Sequence, residues 1–293
     1  MSFSVWVEML GGEVCYYDAG GIRTRCLHAG SGEPLLLLHG MGGHAEAYIK
    51  NIVPLSSRFH VYAIDMVGHG YTDKPAIRYG IPEFADHVRK FLNAVGAAKA
   101  HIEGESLGGW VAAWLAIEHP EQVLSLILNT SAGLKITEQS PESEAQAVAR
   151  LQKLSREAVA NPTRETVRRR LDWLFLDPKT NVTDELVEIR YRIYCQESAR
   201  RAMNQIVDEM AGEGRTQYML TRDRLCRIEA PTMILWSRHT PTTPWQVAEQ
   251  AHKIIQGSRF HVLDDAGHWP QWEQPEEFNR LMMEFLVPLA NHN

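Results

Sequence analysis

The sequence predicts an α/β protein with a mostly parallel sheet flanked by helices. Three observations carry that expectation. Pro34–Leu38 is a short, wholly apolar run, the pattern of a strand buried on both faces. Strand-like and helix-like stretches alternate near both ends of the chain. Between one such pair stands Gly104-x-Ser106-x-Gly108, a glycine-flanked serine where strand turns sharply into helix.

In chain order, residues 3–9 and 22–28 read as short strands joined by Gly-rich turns, an antiparallel start to the sheet. Pro34–Leu38 follows and ends at His39-Gly40, with Gly42-Gly43 opening a loop. Phe59–Ile64 is the next strand, closed by Asp65 and Gly68-His69-Gly70. A helix is expected over about 82–95, a strand over Ala100–Glu103, and a helix from Leu107 to Glu118, stopped before Pro120. Val123–Leu128 is another strand.

From about residue 140 to 222 the chain is charged and helix-like. Val148, Leu151, Leu154 and Ala158 make one apolar stripe, Val167, Leu171 and Leu174 a second, and Leu186, Ile189 and Ile193 a third. Thr183-Asp184-Glu185 supplies an N-cap and an acidic first turn for the last of these. The expected organisation is therefore a core over 1–134, a helical lid over 135–222, and the rest of the core over 223–293. In that last part Pro231–Trp236 reads as a buried strand, Pro244–Ile255 as a helix and Arg259–Leu263 as a strand. Phe278, Leu281, Met282 and Phe285 mark the core face of a final helix.

The chain has 293 residues, a net charge of −6 and 44% hydrophobic residues, enough to bury a large core. Mild acidity disfavours nucleic acid as a partner. The one basic triplet, Arg168-Arg169-Arg170, reads as a solvated helix face. Four scattered cysteines without C-x-x-C spacing suggest neither a disulfide framework nor a metal site. No apolar run is long enough to span a bilayer, and the N-terminus lacks a basic segment followed by an apolar one. A cytoplasmic protein without a membrane partner is expected, with homo-oligomerisation left open.

A serine hydroxyl is a poor nucleophile at neutral pH and needs a base within hydrogen-bond reach. His268, in a Gly-His loop after the last strand, is the candidate base for Ser106. An oxyanion hole would come from the backbone N–H of Leu107, the residue after the nucleophile, and from Met41 or Gly42 in the loop after His39-Gly40.

Leu35–Gly40, Gly104-x-Ser106-x-Gly108 and Gly267-His268 together resemble the α/β-hydrolase fold over nearly the whole chain. The segments His268–Asn279 and Val182–Arg190 further resemble meta-cleavage-product hydrolases. These enzymes hydrolyse a carbon–carbon bond in 2-hydroxy-6-oxohexa-2,4-dienoates. The resemblance implies a cofactor-independent, metal-free C5–C6 hydrolase acting on a small anionic substrate in aromatic catabolism. Ser106 would be the nucleophile and His268 the proton carrier. Arg190 would grip the C1 carboxylate or C2 oxygen, Trp269 would pack beside the dienoate, and Gly42 would line the substrate site. A carboxylesterase or lactonase on an anionic ester is the alternative, and a ligand-binding relative with weakened catalysis a second.

Three residues depart from the family pattern. Thr240 stands where the triad acid is expected, in Ser237-Arg-His-Thr240-Pro241. The triad acid is thus unassigned, and three readings stay open: an acid from elsewhere (Asp264, Asp265 or Glu105), a Ser-His dyad, or reduced activity. Met41 replaces a common glycine. Glu105 stands beside the nucleophile where relatives carry asparagine, either favouring protonated His268 or sitting partly solvated. Among other residues, His39, Asp65 and His69 are expected to be structural. Trp173, Phe175 and Tyr191 are expected to be core aromatics.

Overall fold

The structure, a computed structural model, describes residues 4–136 and 142–290. Eight strands form one sheet in the order β1-β2-β4-β3-β5-β6-β9-β10. They are β1 (Glu13–Asp18), β2 (Arg23–Ala29), β3 (Glu33–Leu38), β4 (Phe59–Ile64), β5 (Ala100–Glu105), β6 (Val123–Asn129), β9 (Thr232–Ser237) and β10 (Arg259–Leu263). Two two-residue strands, β7 (Leu134–Lys135) and β8 (Leu220–Thr221), pair separately with each other. β1 and β2 run antiparallel, and so do β2 and β4; every other neighbour in the large sheet is parallel. The apolar run of β3 lies between β4 and β5, and Leu35 to Leu38 are completely buried.

The expected α/β architecture is therefore present, with two corrections at the N-terminus. Val5–Glu8 is one helical turn, not a strand. The Ser4 side chain accepts from the Trp6 N–H and so caps that turn, which overrides the alternating apolar pattern. The edge position is taken instead by Glu13–Asp18, paired residue by residue with β2. That strand is largely exposed, so its burial leaves little apolar signal.

Sheet order fixes where a site can form. β4 lies on one side of β3 and β5 on the other, both parallel to it, so the connections from β3 and β5 lead to opposite sides of the sheet order. Loops from such neighbours diverge and open a crevice at the carboxyl ends of the strands. The two loops at that crevice are His39–Gly43, after β3, and Ser106, after β5. Helices Glu142–Ala160, Arg164–Asp172, Asp184–Cys195 and Glu197–Ala211 follow β7. Their apolar stripes are buried at Ala158, Val167, Leu171, Leu174, Leu186 and Ile193, and the Thr183 side chain caps Asp184–Cys195 by accepting from the Leu186 N–H. Among the described residues, no helix is long and apolar enough to cross a membrane.

Candidate active site

Ser106 sits at φ 54° and ψ −114°, a left-handed conformation that costs a non-glycine residue roughly 1–3 kcal/mol. The bend is tight enough to require its glycines. A Cβ on Gly104 would lie 2.3 Å from the Gly108 backbone, and one on Gly108 would lie 2.1 Å from the Leu38 carbonyl oxygen. The serine is locked from both sides. Its N–H donates to the Asn129 carbonyl at 3.0 Å, and its carbonyl accepts from the Ala132 N–H at 2.9 Å. Behind it runs the helix Leu107–Glu118, whose first N–H groups have no partner within the helix and favour negative charge.

His268 is delivered by the loop after β10. Its N–H donates to the Leu174 carbonyl at 2.7 Å, and its carbonyl accepts from the Thr130 hydroxyl at 3.0 Å. Ser106 and His268 line one small cavity together with Met41, Glu105, Arg170 and Trp269. The ring of His268 is almost fully buried, and both nitrogens have partners. Nδ1 lies 2.9 Å from the Thr240 hydroxyl and 3.2 Å from that of Thr242. Nε2 lies 3.1 Å from Oε1 of Glu105.

Of the three acids open on sequence, two are elsewhere. Asp264 is exposed and pairs with Arg238, and Asp265 is exposed, giving its carbonyl to the Gln274 side chain. Glu105 is not solvated but 1% exposed, and its Oε2 accepts from the Gly40 N–H at 2.7 Å. It is the carboxylate the structure brings to His268, on the opposite nitrogen from Thr240.

The loop after β3 is held partly by residues of the helices that follow β7. Gly43 N–H donates to the Gly40 carbonyl at 2.9 Å, Arg170 Nη2 donates to the Met41 carbonyl at 2.6 Å, and the Tyr194 hydroxyl donates to the Gly42 carbonyl at 3.3 Å. Arg170 is thus not part of a solvated face: it is 1% exposed and also donates from Nε to the Ser155 hydroxyl at 2.9 Å. The signal was available, because residue 170 lies on the same i, i+3, i+4, i+7 face as Val167, Leu171 and Leu174. Arg168 does face outward, pairing with Asp184.

Arg190 is completely buried, and none of its three guanidinium nitrogens has a hydrogen-bond partner. Its guanidinium carbon lies 5.3 Å from the centroid of the Trp269 ring. Burial, with Arg170 nearby, lowers its pKa to about 10. Trp269 in turn packs against Phe175, with ring centroids 5.3 Å apart. A buried cation without a partner is costly, and it creates a place for an anion.

On the other side of Ser106 opens a larger cleft of about 360 Å³, lined mainly by apolar residues such as Leu107, Trp110, Leu134, Ala149 and Met219. His39 is structural, as expected. Its Nε2 accepts from the Met66 N–H, its Nδ1 donates to the Gly40 carbonyl, and burial lowers its pKa to about 4. Asp65 accepts from the N–H groups of Ala45 and Tyr71, and so ties the turn after β4 to the loop after β3. Away from this site, Glu13, Cys15 and His28 converge on the edge strands with ligand atoms within 4.8 Å of one another, a grouping that C-x-x-C spacing does not reveal.

A family model described as the alpha/beta hydrolase fold matches residues 33–275. This chain belongs to that family. It is 32% identical over 280 residues to a 2-hydroxymuconate semialdehyde hydrolase of Pseudomonas sp. (strain CF600), covering 92% of each chain. It is also 32% identical to a 2-hydroxy-6-oxo-6-phenylhexa-2,4-dienoate hydrolase of Comamonas testosteroni, covering 88% of this chain and 89% of that one. Among solved structures, a meta-cleavage product hydrolase from Pseudomonas fluorescens IP01 superposes with a TM-score of 0.79 at 28% identity, over 95% of this chain and 99% of that one. A bacterial membrane phospholipase A superposes at 0.83 with 28% identity, over 98% and 90%. The expected resemblance to the meta-cleavage-product hydrolases is borne out, and so is the activity class, hydrolase.

Proposed function

We propose that this chain hydrolyses the C5–C6 bond of a 2-hydroxy-6-oxohexa-2,4-dienoate. The observation that carries the reading is Arg190. A fully buried guanidinium with three nitrogens lacking hydrogen-bond partners packs on Trp269, a residue that lines the cavity of Ser106 and His268, and so offers a place for an anion next to that cavity. A planar guanidinium suits a carboxylate, or the adjacent C1 carboxylate and C2 oxygen of a dienoate. The Trp269 ring supplies a flat apolar wall for the conjugated chain.

With C1 at Arg190, the C6 carbonyl comes to Ser106 and the C6 substituent to the 360 Å³ cleft. The dienol is first converted to its keto form, with the proton passing to C5. Ser106 Oγ then bonds to C6 while its proton goes to His268, and the carbonyl electron pair moves onto oxygen. The N–H groups of Leu107 and Met41 stabilise that oxyanion, each worth several kcal/mol in a dry site (about 3–4 from donor-removal experiments on other enzymes). When the C5–C6 bond breaks, its electron pair delocalises into the 2-keto system. Water then releases the acid from the acyl-enzyme. The helices between Glu142 and Ala211 serve as the lid that carries Arg170 and Arg190 over this site.

The deciding experiment mixes purified protein with yellow 2-hydroxy-6-oxohexadienoates bearing 6-methyl or 6-phenyl groups and follows the visible absorbance. Bleaching in wild type that is lost in Ser106→Ala is expected. A chain that leaves every such dienoate yellow does not have this activity. The broad cleft and the likeness to a phospholipase A favour an ester as the second reading, and preferential turnover of 4-nitrophenyl esters would select it.

A further inference from the structure

We propose that Glu13, Cys15 and His28 form a site for a zinc-type divalent ion at the edge of the sheet, with one coordination position left to water.

The backbone sets the three side chains on one face. Glu13 and Cys15 are two residues apart on β1, and a strand repeats its facing every second residue. Glu13 pairs directly with His28 of β2 in the antiparallel ladder, and residues directly opposite one another point to the same side. The ligand atoms form a triangle. His28 Nε2 lies 3.3 Å from Cys15 Sγ, and Glu13 Oε2 lies 3.9 Å from each of them. A tetrahedral zinc, with bonds of about 2.3 Å to sulfur and about 2.0–2.1 Å to nitrogen or oxygen, spaces its ligand atoms about 3.3–3.6 Å apart. The edge between His28 and Cys15 already has that length. Closing the other two edges asks Glu13 to move by about half an ångström. Its side chain is 75% exposed, and among the described residues no lysine or arginine pairs with it.

A second observation concerns the other nitrogen of His28. A histidine that ligates through Nε2 carries its proton on Nδ1 and donates it to a partner that fixes the ring. His28 Nδ1 lies 3.3 Å from His60 Nε2, and His60 Nδ1 lies 2.9 Å from the Tyr62 hydroxyl. In the metal-bound state His28 Nδ1–H donates to His60 Nε2, and His60 Nδ1–H donates to the Tyr62 oxygen. The relay leaves the Nε2 lone pair aimed at Cys15 and Glu13. His60 and Tyr62 belong to β4, and the Tyr62 ring stacks on that of His28 with centroids 5.9 Å apart, so the ring is held from the next strand.

The donor set selects the ion. Thiolate and imidazole beside one carboxylate suit zinc and its neighbours, whereas magnesium and calcium take oxygen ligands. In the metal-free state the Cys15 thiol donates to Glu13. When the ion binds, the S–H bond breaks, the sulfur electron pair forms the bond to the metal, and the proton leaves to water. No electron is transferred. The bound ion joins the edge strand β1 to β2, and β4 and β3 separate both from the strand that carries Ser106. It therefore fastens the edge of the sheet and takes no part in hydrolysis.

The test is titration of the full chain with Co²⁺, a spectroscopic stand-in for zinc. A phosphine reductant is present, because Cys26 lies opposite Cys15 in the ladder. Wild type should develop a thiolate-to-cobalt charge-transfer band in the near ultraviolet and the intense visible bands of four-coordinate cobalt. Both should saturate at one ion per chain and bleach when zinc is added. Cys15→Ser should lose the charge-transfer band, and Glu13→Gln and His28→Ala should each weaken cobalt binding at least about 10-fold. Metal-free melting curves check that each variant is folded. Cys195 and Cys226 are exposed thiols, so a charge-transfer band that survives Cys15→Ser belongs to them and overturns the proposal. A wild type with no such band, or with an affinity unmoved by Glu13→Gln and His28→Ala, overturns it as well.

Discussion

Replacing Arg190 with methionine should stabilise the fold while removing substrate binding. The guanidinium is fully buried, and its pKa falls from its ordinary value to about 10. At about 1.4 kcal/mol per pKa unit, the protein imposes a penalty of about 3 kcal/mol on the charged side chain. The sign follows from the direction. A base whose folded pKa is depressed destabilises the fold at every pH below that pKa, so the full penalty is present at neutral pH. Methionine has similar length and carries no charge. Loss of the contact with Trp269 returns about 1 kcal/mol of the gain. A net gain of about 2 kcal/mol corresponds to a rise in Tm of several degrees. On the proposed dienoate reading, the same change removes a charge-assisted pair to the substrate carboxylate, worth about 3 kcal/mol, so KM should rise about 100-fold. Thermal unfolding with and without a non-hydrolysable dienoate analogue checks both effects. The analogue should raise the Tm of wild type and leave that of the variant unmoved. A variant that melts lower than wild type and keeps its KM would show that Arg190 is a structural cation, and the ligand argument would fail.

Arg170→Met should act on turnover rather than binding. Its bond to the Met41 carbonyl holds the loop after β3, the oxyanion loop of the proposed mechanism, so kcat should fall about 10- to 100-fold with KM little changed, read by steady-state kinetics. Ala149→Trp narrows the apolar cleft and should depress kcat/KM for a 6-phenyl dienoate at least 10-fold more than for a 6-methyl one. Glu103, buried beside β5, has its pKa raised to about 8 by desolvation. The folded chain therefore keeps a proton that the unfolded chain releases, and stability is lost as pH rises from about 4.5 to 8. Glu103→Gln should flatten that slope, so urea unfolding should show the variant gaining on wild type by a few kcal/mol between pH 5 and pH 8. An equal slope in both proteins would place the ionised carboxylate in a solvated environment. The buried histidines act in the opposite direction. His39 and His87 have pKa values lowered to about 4 and about 3, so stability is lost as pH falls below about 6.5. His87→Gln should reduce that loss, measured by unfolding at pH 7 and pH 5.

The sequence by itself determined the elements whose signal is local. Leu35–Leu38 could only be a strand buried on both faces, and Gly104 and Gly108 could only be glycines, because a Cβ at either would run into backbone. Thr183 and its acidic neighbours announced their helix for a similarly local reason. The N-terminal turn at Val5–Glu8 is not legible in the sequence, because an alternating pattern competes with a single capping serine. What tertiary structure decided were the partners. Residue 105 is adjacent to Ser106 in the chain, but only the crossing of the Gly267-His268 loop over β5 sets its carboxylate against Nε2. Thr242 reaches Nδ1 only because the Thr240–Thr243 turn folds back under the same ring. Arg170 and Arg190 look like two more charges on polar helices until packing takes both out of water, Arg190 with no hydrogen-bond partner. Periodicity reports which side of an element is buried. It does not report which distant group is buried against it, and electrostatic chemistry depends on that pairing.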